Sequence, residues 1–419
     1  MDTMTTEARA SGLMGWWRAG TSEGRRALIA GSLGWMLDSF DVMLYALVLA
    51  ALMKDLGMTK FTAGLLGSAT LVASAIGGMV FGIVADRFGR TRALISSILI
   101  YSVFTAACGF AQTIAHLAVF RVFLGLGMGG EWASGAALVS ETWSAEHRGK
   151  ALGFMQSAWA VGYGAAAVVV AIVMPVWGWR AVFFVGVLPA LLTVWVQRHV
   201  EEPAMWRERQ AQPARRRGGL MDVFRGDLRQ LTIAVTLMNA CTMFAWWGFN
   251  QWIPAYLSLP EADGGIGLST RTMSGFIIAM QVGMWFGYVT FGFISDIIGR
   301  KRAYVIYVLT AAVLMLAYGV TQDPLLLLLL GPVVAFFATG YFTGFGAVTA
   351  EIYPTEIRAT AQGFTYNVGR IGSAIAPWAV GRLAEANGFG AAFSLSAVAF
   401  VLAAVMWLWI PETRGRELA

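Results

Sequence analysis

The stretch "GIVADRFGRTR" at 82–92 has a second copy in the chain, "GFISDIIGRKR" at 292–302. In both, an aspartate, a glycine and a short basic run follow an apolar stretch. Two more pairs keep the same register: "ETWSAEHRG" at 141–149 with "EIYPTEIRA" at 351–359, and "WGWRAVF" at 177–183 with "NGFGAAF" at 387–393. Each pair is 210 positions apart (292 less 82, 351 less 141, 387 less 177). One offset shared by three separate segments makes the chain two similar halves in tandem.

Both halves are oily. Of 419 residues 58% are hydrophobic and 13% charged, about half the charge of a soluble chain, and the mean hydropathy is +0.64. Apolar runs of about 20 residues, the length that crosses a bilayer as a helix, recur throughout. They predict an all-α membrane protein with twelve spans, near 28–53, 62–85, 93–111, 115–141, 150–174, 180–198, 231–257, 273–295, 303–321, 325–350, 360–386 and 391–410. The expected organisation is an N-terminal segment (1–27), a six-helix bundle (28–198), an Arg-rich linker (199–230), a second six-helix bundle (231–411) and a short tail (412–419).

Basic residues gather in the even-numbered connections, "DRFGRTR", "HRGK", the linker and "GRKR", whereas "AQTIA" and "MPVWGW" carry almost none. The positive-inside rule then puts both termini in the cytoplasm of a multi-pass protein. The net charge of +6 is accounted for by those loops and does not point to nucleic acid. Cys108 and Cys241 lie inside apolar runs, so neither a disulfide nor a metal site is expected. His116, His147 and His199 stand apart, with no nucleophile beside them, which argues against an enzyme.

The two "GxxxDxxGR(K/T)R" loops, "RVFLGLGMGGE" in span 4, the Glu–Arg pairs after spans 4 and 10, and "PETRG" at 411–415 resemble the motifs of the major facilitator superfamily. Within it, "LGWMLDSFDVMLYALVL", "FRVFLGLGMGGEW" and "VMPVWGWRAVFFVGVLP" look most like the sialate/monocarboxylate proton symporters, with aromatic-acid proton symporters as nearest neighbours. The resemblance implies an inner-membrane transporter with its substrate site at the midplane between the halves. It also implies drive from a proton gradient without a cofactor; a monomer in the lipid bilayer is expected.

Asp86, Gly89 and Arg90, with their repeats Asp296, Gly299 and Arg300, read either as a plain tight turn or, as the resemblance implies, as a latch on the cytoplasmic face. Glu141 and Arg148, repeated as Glu351 and Arg358, extend that charged network as candidate gating residues or as ordinary loop charges.

Asp38 and Asp41 sit in "GWMLDSFDVMLYALVL" at 34–49. A carboxylate at membrane depth costs about 2.5–3.5 kcal/mol, and at three-residue spacing the two share one broad helix face. They read as proton carriers facing a wet cavity, or as members of a permanent buried ion pair. Span 4 adds Glu131, a further proton-carrier candidate, and Arg121, which either pairs with a span-1 acid or meets the substrate; at ten residues' separation, about 15 Å, these two cannot pair with each other.

Spans 7, 8 and 10 hold amides, hydroxyls and aromatics instead: Asn250 and Gln251, Gln281, Tyr341 and Thr343. Arg370 in span 11 is the exception. It is a bidentate clamp for a carboxylate near mid-bilayer, with Asn367 on the same face. The expected function is therefore proton-coupled import of a small organic anion such as sialate, lactate or an aromatic acid. A sugar or polyol porter, a drug–proton antiporter and a non-transporting sensor are the alternatives.

Overall fold

The computed structural model describes residues 15–202, 207, 220–226 and 228–414. The side chains of Asp86, Ala133, Ala145, Glu146, Leu220, Asp222, Thr355, Glu356, Ala359 and Thr360 lie outside the description, as do parts of the expected N-terminal segment, linker and tail. The α-helices in order are α1 (Gly15–Ala19), α2 (Ser22–Leu56), α3 (Lys60–Phe88), α4 (Arg90–Cys108), α5 (Ile114–Thr142), α6 (Ala145–Val185) and α7 (Pro189–His199) in the first half. The second half holds α8 (Leu228–Asn250), α9 (Ile253–Ser258), α10 (Thr270–Ile298), α11 (Arg300–Val320), α12 (Pro324–Thr339), α13 (Phe342–Ile352) and α14 (Thr355–Met406).

Among the described residues ten helical stretches are long and apolar enough to cross a membrane. Two of them, His147–His199 with 53 residues and Ala361–Met406 with 46, are over twice the length of about 20 that one crossing takes. Each is broken by a glycine in the left-handed region, Gly178 (φ 74°) and Gly388 (φ 80°), a backbone turn that a Cβ would strain. Each is therefore two crossings, so the ten stretches supply the twelve spans of this fold. The two break points are themselves 210 residues apart.

The same offset governs the helix starts. Thr59 caps α3 and Ser269 caps α10, each hydroxyl accepting an N–H three residues on at 3.2 Å. Thr113 caps α5 through His116 N–H and Asp323 caps α12 through Leu326 N–H. With no water at membrane depth, such side-chain acceptors at the span ends satisfy orphan amides before the chain enters lipid.

Within the first half α3 packs on α5 and α2 on α6; within the second, α8 packs on α14 and α10 on α12; the halves meet where α14 lies on α3 and α10 on α6. Packing inside each half is closest at glycines. A Cβ on Gly77 of α3 would overlap the Leu126 carbonyl of α5, and one on Gly287 of α10 would overlap the Phe336 carbonyl of α12. Backbone approach of this kind is what holds helices together where lipid offers no hydrophobic drive. We expect Gly77→Leu and Gly287→Leu each to destabilise the protein by about 2 kcal/mol or more, seen as a lower melting temperature in detergent. Gly82→Leu, where a Cβ meets nothing within 4 Å, should leave it unchanged.

Candidate functional site

Three acids from the first half and one arginine from the second meet at mid-depth. Asp38 and Asp41 of α2 are each 1% exposed and Glu131 of α5 is fully buried. The Glu131 carboxylate lies against α2 at Gly34, where a Cβ would stand 2.5 Å from Oε1, one helical turn before Asp38. Asp38 and Glu131 are within electrostatic reach of each other, and Arg370 of α14 is within electrostatic reach of Asp38. Arg370 is half-buried and its Nη2 donates to Ser74 Oγ of α3 at 2.7 Å, so it bridges the halves. Asp38 Oδ2, Asp41 Oδ1 and both Glu131 oxygens have no hydrogen-bond partner among the described residues.

Two residues on α4 belong to this cluster. The Thr105 hydroxyl lies 3.0 Å from Asp41 Oδ2 and 2.8 Å from the Tyr101 carbonyl. The Tyr101 hydroxyl is within electrostatic reach of Asp38, Asp41 and Glu131 together. Nothing in the sequence singled them out, because a lone hydroxyl in an apolar span carries no pattern of its own.

Arg121 is 1% exposed, with its guanidinium 3.7 Å over the Tyr45 ring, a cation–π arrangement. Its Nε and Nη1 have no partner among the described residues. Asn250 Nδ2 contacts Met43 Sδ at 3.4 Å across the halves, and Gln251 and Gln281 are buried with Nε2 and Oε1 respectively unpartnered. Asn367 donates to the Gly363 carbonyl of its own helix. Tyr341 sits in the break between α12 and α13, packed among Tyr304, Phe342 and Phe400, with its hydroxyl buried and without a partner among the described residues.

The halves are closed at one end. Running down α3 and up α14, the Phe61 N–H donates to Glu385 Oε2 at 2.7 Å, the Trp378 N–H to Ser68 Oγ at 3.1 Å, and Arg370 to Ser74. Lys60 adds a bond to the Asp263 carbonyl at 2.6 Å. About two turns further, at Gly82 and Gly363, a Cβ meets nothing within 4 Å. Among the described residues the hydrogen bonds of this seam therefore run from the loop end at Lys60 to the level of Arg370, and at Gly82 and Gly363, nearer the end bearing the termini, α3 and α14 leave room around their backbones.

At that end the residues expected to form a latch pair within each half. Arg90 binds Glu141 at 3.0 Å, while Arg300 binds Asp296 at 2.6 Å and Glu351 at 3.4 Å. Arg358 donates to the Tyr353 carbonyl at 3.1 Å, Arg148 is half-buried at the start of α6, and the Asp86 side chain lies outside the described residues. Gly89 (φ 114°) and Gly299 (φ 100°) make the turns. Each following helix is capped by a glutamate: Glu202 accepts the N–H groups of Thr91 and Arg92, and Glu412 those of Arg300 and Lys301. Burial pushes the Glu412 carboxyl up, but the N–H groups of Arg414, Arg300, Lys301 and Thr413 outweigh it and hold it below the usual range. Its stabilisation is present above the ordinary glutamate value of about 4.3 and is lost as pH falls through the lowered one. Glu412→Gln should cost about 0.5–1 kcal/mol at pH 7, with the gap to wild type in melting temperature closing in acid.

The Major Facilitator Superfamily profile matches residues 31–289 and 261–419. A probable 4-methylmuconolactone transporter of Cupriavidus pinatubonensis is 35% identical over 96% of this chain and 94% of its own. A sialic acid transporter of Escherichia coli is 32% identical over 92% and 93%. The crystal structure of a D-xylose–proton symporter superposes with a TM-score of 0.75 at 22% identity, over 94% of this chain and 99% of that one, a likeness of fold.

Proposed function

The chain belongs to the major facilitator superfamily, and on that premise we propose that it is a proton-coupled symporter importing a small organic anion by alternating access. It is a multi-pass membrane transporter rather than an enzyme. The relatives named for 4-methylmuconolactone and sialic acid fit an organic-acid cargo.

The observation that carries the reading is Arg370. It stands on the second half, bonds Ser74 on the first, and is the cation within reach of Asp38. A carboxylate entering between the halves takes the guanidinium in a bidentate grip, which leaves Asp38 without its counter-charge. A proton on Asp38 then removes the cost of a bare buried carboxylate. Asp41, three residues on in α2, is the carboxyl that delivers and reclaims this proton. The Thr105 hydroxyl has one proton and two acceptors in range, Asp41 Oδ2 and the Tyr101 carbonyl; both bonds form together only when Asp41 supplies a proton of its own.

With the termini in the cytoplasm, the closed end faces outward and the arrangement is the inward-facing state. Rocking of the halves about Arg370 and Ser74 opens the α3–α14 seam and closes the latch end. A sugar porter is the second reading, favoured by Gln251 Nε2 and Gln281 Oε1, which have no partner among the described residues. Thermal shifts with monocarboxylates, sialic acid, aromatic acids and neutral sugars separate the two. A carboxylate at 100 times its dissociation constant stabilises the protein by about 2.7 kcal/mol. Stabilisation by sugars alone would move the assignment to the second reading.

A further inference from the structure

Five aromatic rings form a continuous row beside the charged cluster. The Trp35 ring of α2 lies 4.7 Å from Trp132 of α5 and 4.6 Å from Trp159 of α6, centre to centre. From Trp159 the row crosses to Trp247 of α8 at 6.0 Å. From Trp132 it crosses to Tyr366 of α14, also at 6.0 Å, with the planes 24° apart. Both crossings join opposite halves of the molecule.

The row runs through the ionisable groups. Trp35 is three residues before Asp38, Trp132 follows Glu131, and Tyr366 is one turn before Arg370, whose guanidinium lies 6.0 Å over the Tyr366 ring. Trp132 and Tyr366 are only partly buried, unlike Tyr341, which packing encloses. The Trp35 Nε1 is buried with no partner among the described residues. A buried indole N–H is ordinarily satisfied, so this one marks a place where another acceptor belongs.

An acid gripped by Arg370 lays its carbon skeleton beside Tyr366 and the near-parallel Trp132. A flat unsaturated skeleton stacks on an aromatic face over its whole area, whereas a puckered saturated one touches only through its protruding hydrogens. Resting on the organic-anion reading, we propose that Trp132 and Tyr366 are specificity-determining residues that select planar, conjugated carboxylates over saturated acids of the same size and charge.

The test is uptake of benzoate against cyclohexanecarboxylate in proteoliposomes, since the two share charge and carbon count and differ in planarity. One aromatic contact is worth about 3- to 10-fold, so wild type should favour benzoate by about tenfold or more in kcat/KM. Trp132→Leu and Tyr366→Leu should each lower that ratio about 3- to 10-fold, benzoate losing more uptake than cyclohexanecarboxylate; Trp132→Phe and Tyr366→Phe should keep it. Equal uptake of the two acids by wild type overturns the ring selection and leaves the anion site standing. So do Phe variants that lose the ratio, and Leu variants that lose both acids alike. Uptake of neither acid overturns the ring selection, and the panel of carboxylates and sugars then decides the anion reading separately.

Discussion

Arg370→Ala abolishes stabilisation by organic acids and lowers their uptake about 100-fold. Truncating one partner of a buried, hydrogen-bonded charge pair costs about 2–5 kcal/mol, and about 3 kcal/mol is a factor of 100. Arg370→Lys keeps the charge but loses the planar fork and should fall between, near tenfold. The loss must come from binding rather than from a collapsed fold. Arg370 is half-buried and its guanidinium donates to Ser74, so the variant should remain folded and elute normally. Adding Asp38→Asn to Arg370→Ala removes the acid left without a cation, and should restore any lost melting temperature without restoring acid binding.

Asp41→Asn separates transport from its driving force. The amide oxygen can still accept from Thr105, so the local bond that Asp41 Oδ2 makes at 3.0 Å survives, but the side chain no longer takes up a proton. Exchange of labelled for unlabelled acid across the membrane should persist within a few-fold. Accumulation against a gradient should disappear. A monoanion carried with one proton moves no net charge and is concentrated about tenfold per pH unit; the variant's ratio should stay near 1. A second proton would add about 2.3 kcal/mol per 100 mV and would show as a dependence on membrane potential. Asp38→Asn should behave differently, because it frees Arg370 from its neighbouring acid and tightens acid binding in the inward-facing state.

The fold was legible because its determinants are local and repeat. The 210-residue offset found in three motifs also relates the capping residues Thr59 and Ser269, Thr113 and Asp323, and the breaks at Gly178 and Gly388. The same offset joins Glu202 to Glu412, a signal present in the sequence that would have marked Glu202 as the first-half helix cap. The site was legible only in depth. Hydropathy places Asp38, Glu131 and Arg370 near mid-span, but it does not fix the azimuth of a helix within a bundle. For that reason the sequence does not show that Tyr341 packs among Tyr304 and Phe400, or that Tyr101 and Thr105 stand beside the acids. Azimuth is set by packing such as Gly77 on Leu126 and Glu131 against Gly34, which no single span records.

In this mechanism acid and proton move together between Arg370 and the span-1 carboxyls. The direct measurement is external pH in a lightly buffered suspension of proteoliposomes, recorded as benzoate or another stabilising carboxylate is added outside. Symport predicts immediate alkalinisation of the medium in step with acid uptake, absent in Asp41→Asn and Arg370→Ala. Acid uptake with no pH change beyond that of protein-free liposomes, or alkalinisation evoked by a neutral sugar instead, would contradict it.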